Sequence, residues 1–306
     1  MYSKPQASTR TRHAAMQDVL PIDDFGEIPT ASDWCQRWRG RRHSWRHLSE
    51  GGFDAQRYTV EPISEKLAKG FVLEHHYSGS FPSARFSFGL YHTGAGERRL
   101  CGVAVFGVPV AEAVLTRPLP DLQPYVESLE CSRFVLTDDC LANTESWFLA
   151  RAFDELLVRS VRGIVSFADP VPRRDASGAV IAVGHVGTIY QATNAVYAGR
   201  ATPRTVKLLP NGTVLNERVA QKVRRQEQGH EYAERLLVQL GAPVFPAGAD
   251  AKVWLREALE AVGARNVRHR GAHRYVYRLG RNRREREGIR LGLPAVGVYP
   301  KIPDGW

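Results

Sequence analysis

Long apolar runs are missing. No stretch of the 306 residues approaches the roughly 18 consecutive apolar residues that a membrane-spanning helix needs. The N-terminal MYSKPQASTRTRHAAM also lacks the apolar segment of a secretory signal, so a cytosolic protein is expected. Cysteine is scarce as well. Cys35, Cys101, Cys131 and Cys140 show no CxxC spacing, which disfavours a zinc site and leaves buried free thiols as the expected state. No P-loop, GxGxxG, HExxH, GxSxG or zinc-deaminase signature occurs, which argues against kinases, Rossmann dehydrogenases, zinc proteases, α/β-hydrolases and deaminases. Acidic residues fall short of basic ones, 32 against 42, for a net charge of +10. A field of that sign concentrates polyanions. The excess is mostly Arg, whose planar fork suits phosphates and base edges.

With 43% apolar residues the chain can bury a sizeable core. Residues 1 to 33 mix Ser, Thr, Pro and charge without periodicity and read as a loosely ordered arm. In WCQRWRGRRHSWRH the residues Arg37, Arg39, Arg41, Arg42 and Arg46 interleave with Trp34, Trp38 and Trp45, alternating phosphate-pairing and base-stacking groups. The same pattern suits a basic amphipathic helix packing its Trp on the body. Three units follow from these composition shifts: a basic arm over 1–51, a body over 52–280 and a basic tail over 281–306.

The body opens with RYTVEPI as a strand, a helix ending near His75, His76 and Tyr77, and a hairpin around Thr93 and Gly94. SLECSRFVL is a fourth strand, and residues 144–161 form a helix. SFAD ends a fifth strand on Asp169. Tyr190, Asn194 and Tyr197 then follow at helical spacing, i, i+4, i+7. RTVKLLPNGTVL reads as two short strands, NERVAQKVRRQEQGHEYAERLLVQL as one long polar helix, WLREALEAVGA as a further helix, and VRHRGAHRYVYRL as a late strand or hairpin. The fold class is α/β (α+β), a mixed central sheet flanked by helices. Residues 265–290 carry ten Arg against Glu285 and Glu287, a density that solubility alone does not require.

Several side chains offer chemistry. Of His75 and His76 at most one faces a cleft, where a neutral imidazole can act as a base and the phenol of Tyr77 can donate to an oxyanion. Arg133, inside an apolar strand, must find a carboxylate, phosphate or carbonyl, with Glu130 and Asp169 the candidate carboxylates. Asp169 sits at the C-terminal end of its strand, before Pro170. Asn143, Thr144, Glu145 and Ser146 open a helix whose first-turn N–H groups suit an anion or an acyl oxygen.

The motifs HHYSGSFP, ECSRFVL, ANTESWFLARAF, SFADP, GHVGTIYQATNAVYAGRATPRT and QKVRRQEQGHEYAE, in consistent order over residues 70 to 235, resemble those of the Mom DNA-modification proteins of bacteriophages. The element order likewise resembles the GNAT acetyltransferase fold. The resemblance implies an enzyme that places a carbamoylmethyl or methylcarbamoyl group on the 6-amino group of adenine in double-stranded DNA, in the host bacterial cytoplasm, shielding phage DNA from restriction. It puts the suspected active-site residues on His76, Tyr77, Arg133, Ser146, Asp169 and Tyr190, and implies acetyl-CoA as donor, bound by Asn143, Thr144, Glu145 and Tyr197. His76 or Asp169 is expected to take the proton, Tyr77, Ser146 or Arg133 to polarise the acyl oxygen, and Tyr190 or Tyr197 to protonate the thiolate. The adduct's connectivity differs from a plain acetyl group, which implies a further step with a metal such as iron. DNA contacts are expected from Arg37, Arg39, Arg41, Arg42, Arg173, Arg174, Arg200, Arg204, Arg281, Arg283 and Arg284. The loop DDCLANTES lacks the Gly-rich pattern of the wider acetyltransferase fold, so the mode of CoA binding stays open. An ordinary amine acetyltransferase and a non-catalytic DNA-binding protein are the alternatives.

Overall fold

The computed structural model describes residues 34–94, 97–178, 180–301 and 304. The arm over residues 1–33 lies outside the described residues. A hairpin of β1 (Trp34–Arg39) and β2 (Arg42–His47) comes first, followed by β3 (Tyr58–Pro62), α1 (Glu65–His75), β4 (Ala84–Gly94) and β5 (Glu97–Gly107). Then come α2 (Ala113–Thr116), β6 (Ser128–Leu136), α3 (Thr144–Val158) and β7 (Gly163–Ala168). A small hairpin, β8 (Arg173–Arg174) with β9 (Val180–Ala182), leads to α4 (Thr188–Ala192) and β10 (Val196–Arg200). The chain continues through β11 (Arg204–Leu208), β12 (Val214–Leu215), α5 (Glu217–Arg225), α6 (Glu231–Gln239) and α7 (Ala251–Ala261). It ends with β13 (Arg265–His269), β14 (His273–Arg278) and α8 (Arg283–Glu287).

Seven strands form the main sheet in the order β10-β14-β7-β6-β5-β4-β3. Only β6 and β7 run parallel; their neighbours are antiparallel. Helices cover both faces, and period-2 alternation assigns the side chains of β5. Val103 and Val105 pack under Ala68, Phe71 and Val72 of α1, whereas Ala104 and Phe106 pack with Phe148, Leu149 and Ala152 of α3. A bulge interrupts β6: Val105 pairs with Arg133 and Phe106 with Cys131, leaving Ser132 as the extra residue. Such a bulge re-aims the side chain beside it, here Arg133. A second core, built from α5, α6 and α7 with Leu209 and Leu215, lies beside the three-stranded sheet β12-β11-β13.

Four expectations are corrected. Residues 34–47 are a hairpin and not a helix, because Gly40 and Arg41 both take positive φ, 52° and 65°, the geometry of a two-residue turn that matches strand twist. The Tyr190 helix stops at Ala192: Asn194 is left-handed at φ 61°, and β-branched Val196 begins a strand that pairs with β14, so Tyr197 is not on the Tyr190 stripe. Left-handed Gln226 and Gly229 split the long polar helix into α5 and α6. β13 and β14 belong to different sheets, since Gly271 at φ 98° turns the chain where a Cβ would overlap the Ala201 carbonyl. Past α8 the tail packs back onto the body, with Gly292 N–H donating to Pro118 O and Val296 N–H to Tyr197 O at 2.8 Å.

Candidate active site

A cavity of about 660 Å³ opens where β6 and β7 part, and it is lined by His76, Tyr77, Arg133, Ser146, Asp169 and Tyr190 together. The parting is a register fact. Parallel pairing ends at Cys131 with Ser166, yet β6 runs on to Leu136 and β7 to Ala168, so Ser132, Arg133, Phe134 and Phe167 face a gap. His76 caps the C-terminus of α1, Asp169 follows the last residue of β7, and Ser146 sits in the first turn of α3. Gly187, at φ 76° in a spot where a Cβ would collide with Tyr190 and Tyr275, lets α4 start close enough for Tyr190 to reach in.

Hydrogen bonds assign the proton states. Ser78 N–H donates to His76 Nδ1 at 3.1 Å, so Nδ1 holds a lone pair and the neutral ring carries its proton on Nε2. Burial first, then the charges of Arg133 and His185, push the His76 pKa well below 6.5. His76 is thus a neutral donor toward the cavity. Asp169 is the opposite case. Its Oδ1 accepts from Val171 N–H at 3.0 Å and from His269 Nε2 at 2.9 Å, and Gly271 N–H on His269 Nδ1 places the ring proton on Nε2. Burial raises the Asp169 pKa, but the bonds from His269 and Val171 and the charge of Arg173 outweigh it and hold the carboxyl below its ordinary value. Burial raises both Tyr77 and Tyr190, the latter well above 10, so both stay phenols. Arg133 donates to carbonyls and a hydroxyl, reaching Ser80 O at 3.0 Å, Ser80 Oγ at 2.9 Å and Ser132 O at 2.6 Å, instead of pairing with Glu130 or Asp169.

The cofactor candidates divide. Asn143 and Ser146 face the cavity at the start of α3; Asn143 is left-handed at φ 69° and its side chain does not cap the helix. Thr144 is turned inward, fully buried with its hydroxyl on Leu141 O at 2.7 Å. Glu145 lines the cavity but is ion-paired with Arg37, which cancels the charge that would repel an anion at this helix end. Tyr197, on edge strand β10, bonds His273 Nδ1 at 2.8 Å and is not among the residues lining the cavity. Past Cys131 the β7-facing edge of β6 pairs with no strand among the described residues, so its ladder groups could receive the amide-bearing arm of acetyl-CoA, with Asn143 and Ser146 at the α3 terminus beside it. Iron fits less well: among the described residues no three His, Cys, Asp or Glu side chains gather as a metal site.

Arg37 is the clear correction among the arginines. It is fully buried, donating to Cys140 O at 3.2 Å and Leu141 O at 2.6 Å besides its pairing with Glu145, so it ties β1 to the start of α3 and cannot meet a phosphate. Arg39 is exposed and pairs with Asp138 at 2.7 Å, and Arg41 donates to Leu73 O. The side chain of Arg42 lies outside the described residues. Arg173 sits half-buried over Tyr77, and exposed Arg174 donates to Gly178 O. Arg204 is exposed on the cavity lining, Arg281 and Arg284 are exposed, Arg283 pairs with Glu287, and Arg200 is held by both oxygens of Asp304. Sequence reasoning missed His269, His185 and Gln36. His269 lies 100 residues beyond Asp169 within the Arg-rich stretch, where nothing local marks it.

No helix among the described residues is long and apolar enough to cross a membrane. No curated protein matches the chain. Among solved structures, a tandem GNAT protein from the clavulanic acid biosynthesis pathway aligns at 11% identity over 74% of this chain and 75% of that one, with a TM-score of 0.31, a superposition too poor to assign a fold. The model of the Mom protein family matches residues 57–301, the whole of the main sheet and the cavity's catalytic candidates, and the chain belongs to that family.

Proposed function

We propose that the protein is an acyltransferase-like DNA-modifying enzyme, which adds a carbamoylmethyl or methylcarbamoyl-type group, with acetyl-CoA as donor, to the 6-amino group of adenine in double-stranded DNA in the bacterial cytoplasm, protecting phage DNA from restriction. The observation that carries the reading is the convergence of an ionised carboxylate, a neutral imidazole donor and two phenols on one cavity at the parting of β6 and β7. Membership of the Mom family supports DNA as the substrate, as does the net charge of +10.

Adenine's exocyclic amine is conjugated with the ring and nucleophilic only when its proton can leave. Asp169, anionic and with Oδ2 unbonded among the described residues, accepts that proton as the N–C bond forms. A carboxylate this weakly basic suffices, because the attacking nitrogen becomes strongly acidic during attack. His76 Nε2–H and the Tyr77 hydroxyl donate to the carbonyl oxygen, with the Arg133 charge close by. Tyr190 gives its proton to the leaving sulfur as the C–S bond breaks. Bound acetyl-CoA supplies the activated carbonyl. A cavity of this size admits one base and not a duplex, so the adenine must flip, at a cost of a few kcal/mol offset by phosphate contacts. This transfer by itself leaves an N-acetyl group on the amine, and a carbamoylmethyl-type adduct at the same nitrogen takes a further step.

The test is expression in a bacterial host followed by nucleoside mass spectrometry of plasmid DNA. A modified deoxyadenosine is expected with the wild type and none with Asp169→Asn. Unmodified DNA, accompanied by acetylated protein or small amines, would overturn the reading in favour of an ordinary acetyltransferase.

A further inference from the structure

Two donors beside Asp169 are left without partners. Arg173 Nε and Gln36 Nε2 are both shut off from solvent and bonded to nothing among the described residues. Both residues line a narrow recess next to Asp169, walled by Tyr77, Trp38 and His185. An arginine Nε–H can only donate, which fixes the polarity at that point, and the Gln36 amide adds a second N–H. Leaving a buried donor unbonded is costly, so the pair is arranged for an acceptor that arrives with a ligand. The recess measures about 10 Å³, the room of one water-sized polar group, while its walls Gln36, Trp38, Tyr77, Asp169 and His185 also belong to the large cavity that would hold the base itself.

We propose that this recess is a base-recognition subsite for an amino-substituted ring edge, in which Asp169 accepts from the exocyclic amine, Gln36 Nε2 and Arg173 Nε donate to the ring nitrogens beside that amine, and Trp38 and Tyr77, packed on each other with ring centroids 5.0 Å apart, together form one wall. The proposal rests on the adenine reading above. A carboxylate next to donors complements adenine, whose 6-amino group neighbours the acceptors N1 and N7. Guanine, thymine and hypoxanthine set a carbonyl oxygen where the amine would lie, against the Asp169 carboxylate, and are repelled. Cytosine offers the same order of groups on a smaller ring and leaves the cavity underfilled. Period-2 geometry is what delivers the parts: Trp34, Gln36 and Trp38 share the cavity face of β1, while Arg37 points the other way into the protein. Gln36 and Trp38 precede the stretch matched by the family, residues 57–301, so base choice would be contributed by a hairpin attached to the catalytic body.

Fluorescence anisotropy competition decides this, with duplexes carrying one target base opposite an abasic site, where flipping is easy. The wild type is expected to bind the deoxyadenosine duplex about tenfold more tightly than the deoxyinosine one, and Gln36→Met to bind the two alike. Discrimination that persists in both Gln36→Met and Arg173→Met overturns the subsite while leaving adenine as substrate. A wild type with no preference for deoxyadenosine, and no modified deoxyadenosine in plasmid DNA, overturns the adenine reading itself. If Gln36→Met loses all DNA binding, the wild type settles the matter: weaker binding of 1-deazaadenine or 7-deazaadenine supports the subsite, and equal binding of both with adenine refutes it.

Discussion

Replacing Arg37 by Met separates two accounts of one residue. In the structure Arg37 is fully buried, anchored on Cys140 O and Leu141 O and ion-paired with Glu145 in the first turn of α3. Removing it strands a carboxylate away from water, which costs about 3–5 kcal/mol when one member of a buried pair is lost. For a chain of 306 residues that corresponds to a fall in Tm of about 5–8 °C. The loss should extend to activity, because the tie holds Trp34, Gln36 and Trp38 over the cavity and fixes the terminus that presents Asn143 and Ser146. Arg37→Met/Glu145→Met removes both charges and should recover most of the stability, since an apolar pair of similar volume replaces a buried ion pair nearly neutrally. Thermal unfolding followed by circular dichroism measures the first effect, and DNA affinity against salt concentration measures the alternative. A single variant within about 1 kcal/mol of wild type, with a salt slope shallower by about 0.9, would refute the structural role and return Arg37 to the DNA interface.

Four further outcomes follow. With Asp169 held below its ordinary value of 3.8, the rate of modification should show no acidic limb from pH 8 down to about 5, and Asp169→Asn should abolish it throughout; a limb near neutrality that vanishes in a His76 variant would make His76 the base. Tyr190→Phe should lower kcat about 10²–10⁴-fold with the melting temperature nearly unchanged, and a rate within twofold of wild type would exclude Tyr190 as the acid. Gly187→Ala forces a side chain into left-handed backbone against Tyr190 and Tyr275, so it should cost at least about 1–2 kcal/mol and reduce activity; an unaltered melting curve would contradict the packing. Native His273 titrates at about 4, pushed down by burial and by Arg200, and His76 and His185 are lowered too. Below 6.5 the unfolded chain therefore binds more protons than the native one, so stability is fully present above that pH and declines as pH falls toward the native values. His273→Phe should flatten that decline, and a steeper one would reverse the assignment.

Legibility varied with the range of the interactions involved. The β4–β5 hairpin, the SLECSRFVL strand and the helix from Thr144 were readable because alternation and apolar periodicity act within a few positions. The Trp/Arg segment was not, because its turn depends on Arg41 at positive φ, a conformation that composition does not announce. Helical spacing of Tyr190, Asn194 and Tyr197 was misleading, since pairing of Val196 and Tyr197 with β14, nearly 80 residues away, overrides local periodicity.

What the amino-acid sequence determined by itself is a basic, Arg-rich balance, an α/β body, and the presence of one carboxyl, one imidazole and two phenols as candidate site groups. Tertiary structure alone decided the roles. Only the fold sets Ser78 N–H on His76 and His269 on Asp169, making the first a donor and the second an ionised acceptor, because proton position depends on partners that close in space and not in sequence. It likewise buried Arg37 and brought Gln36 to the recess, sorting neighbours in one strand onto opposite faces.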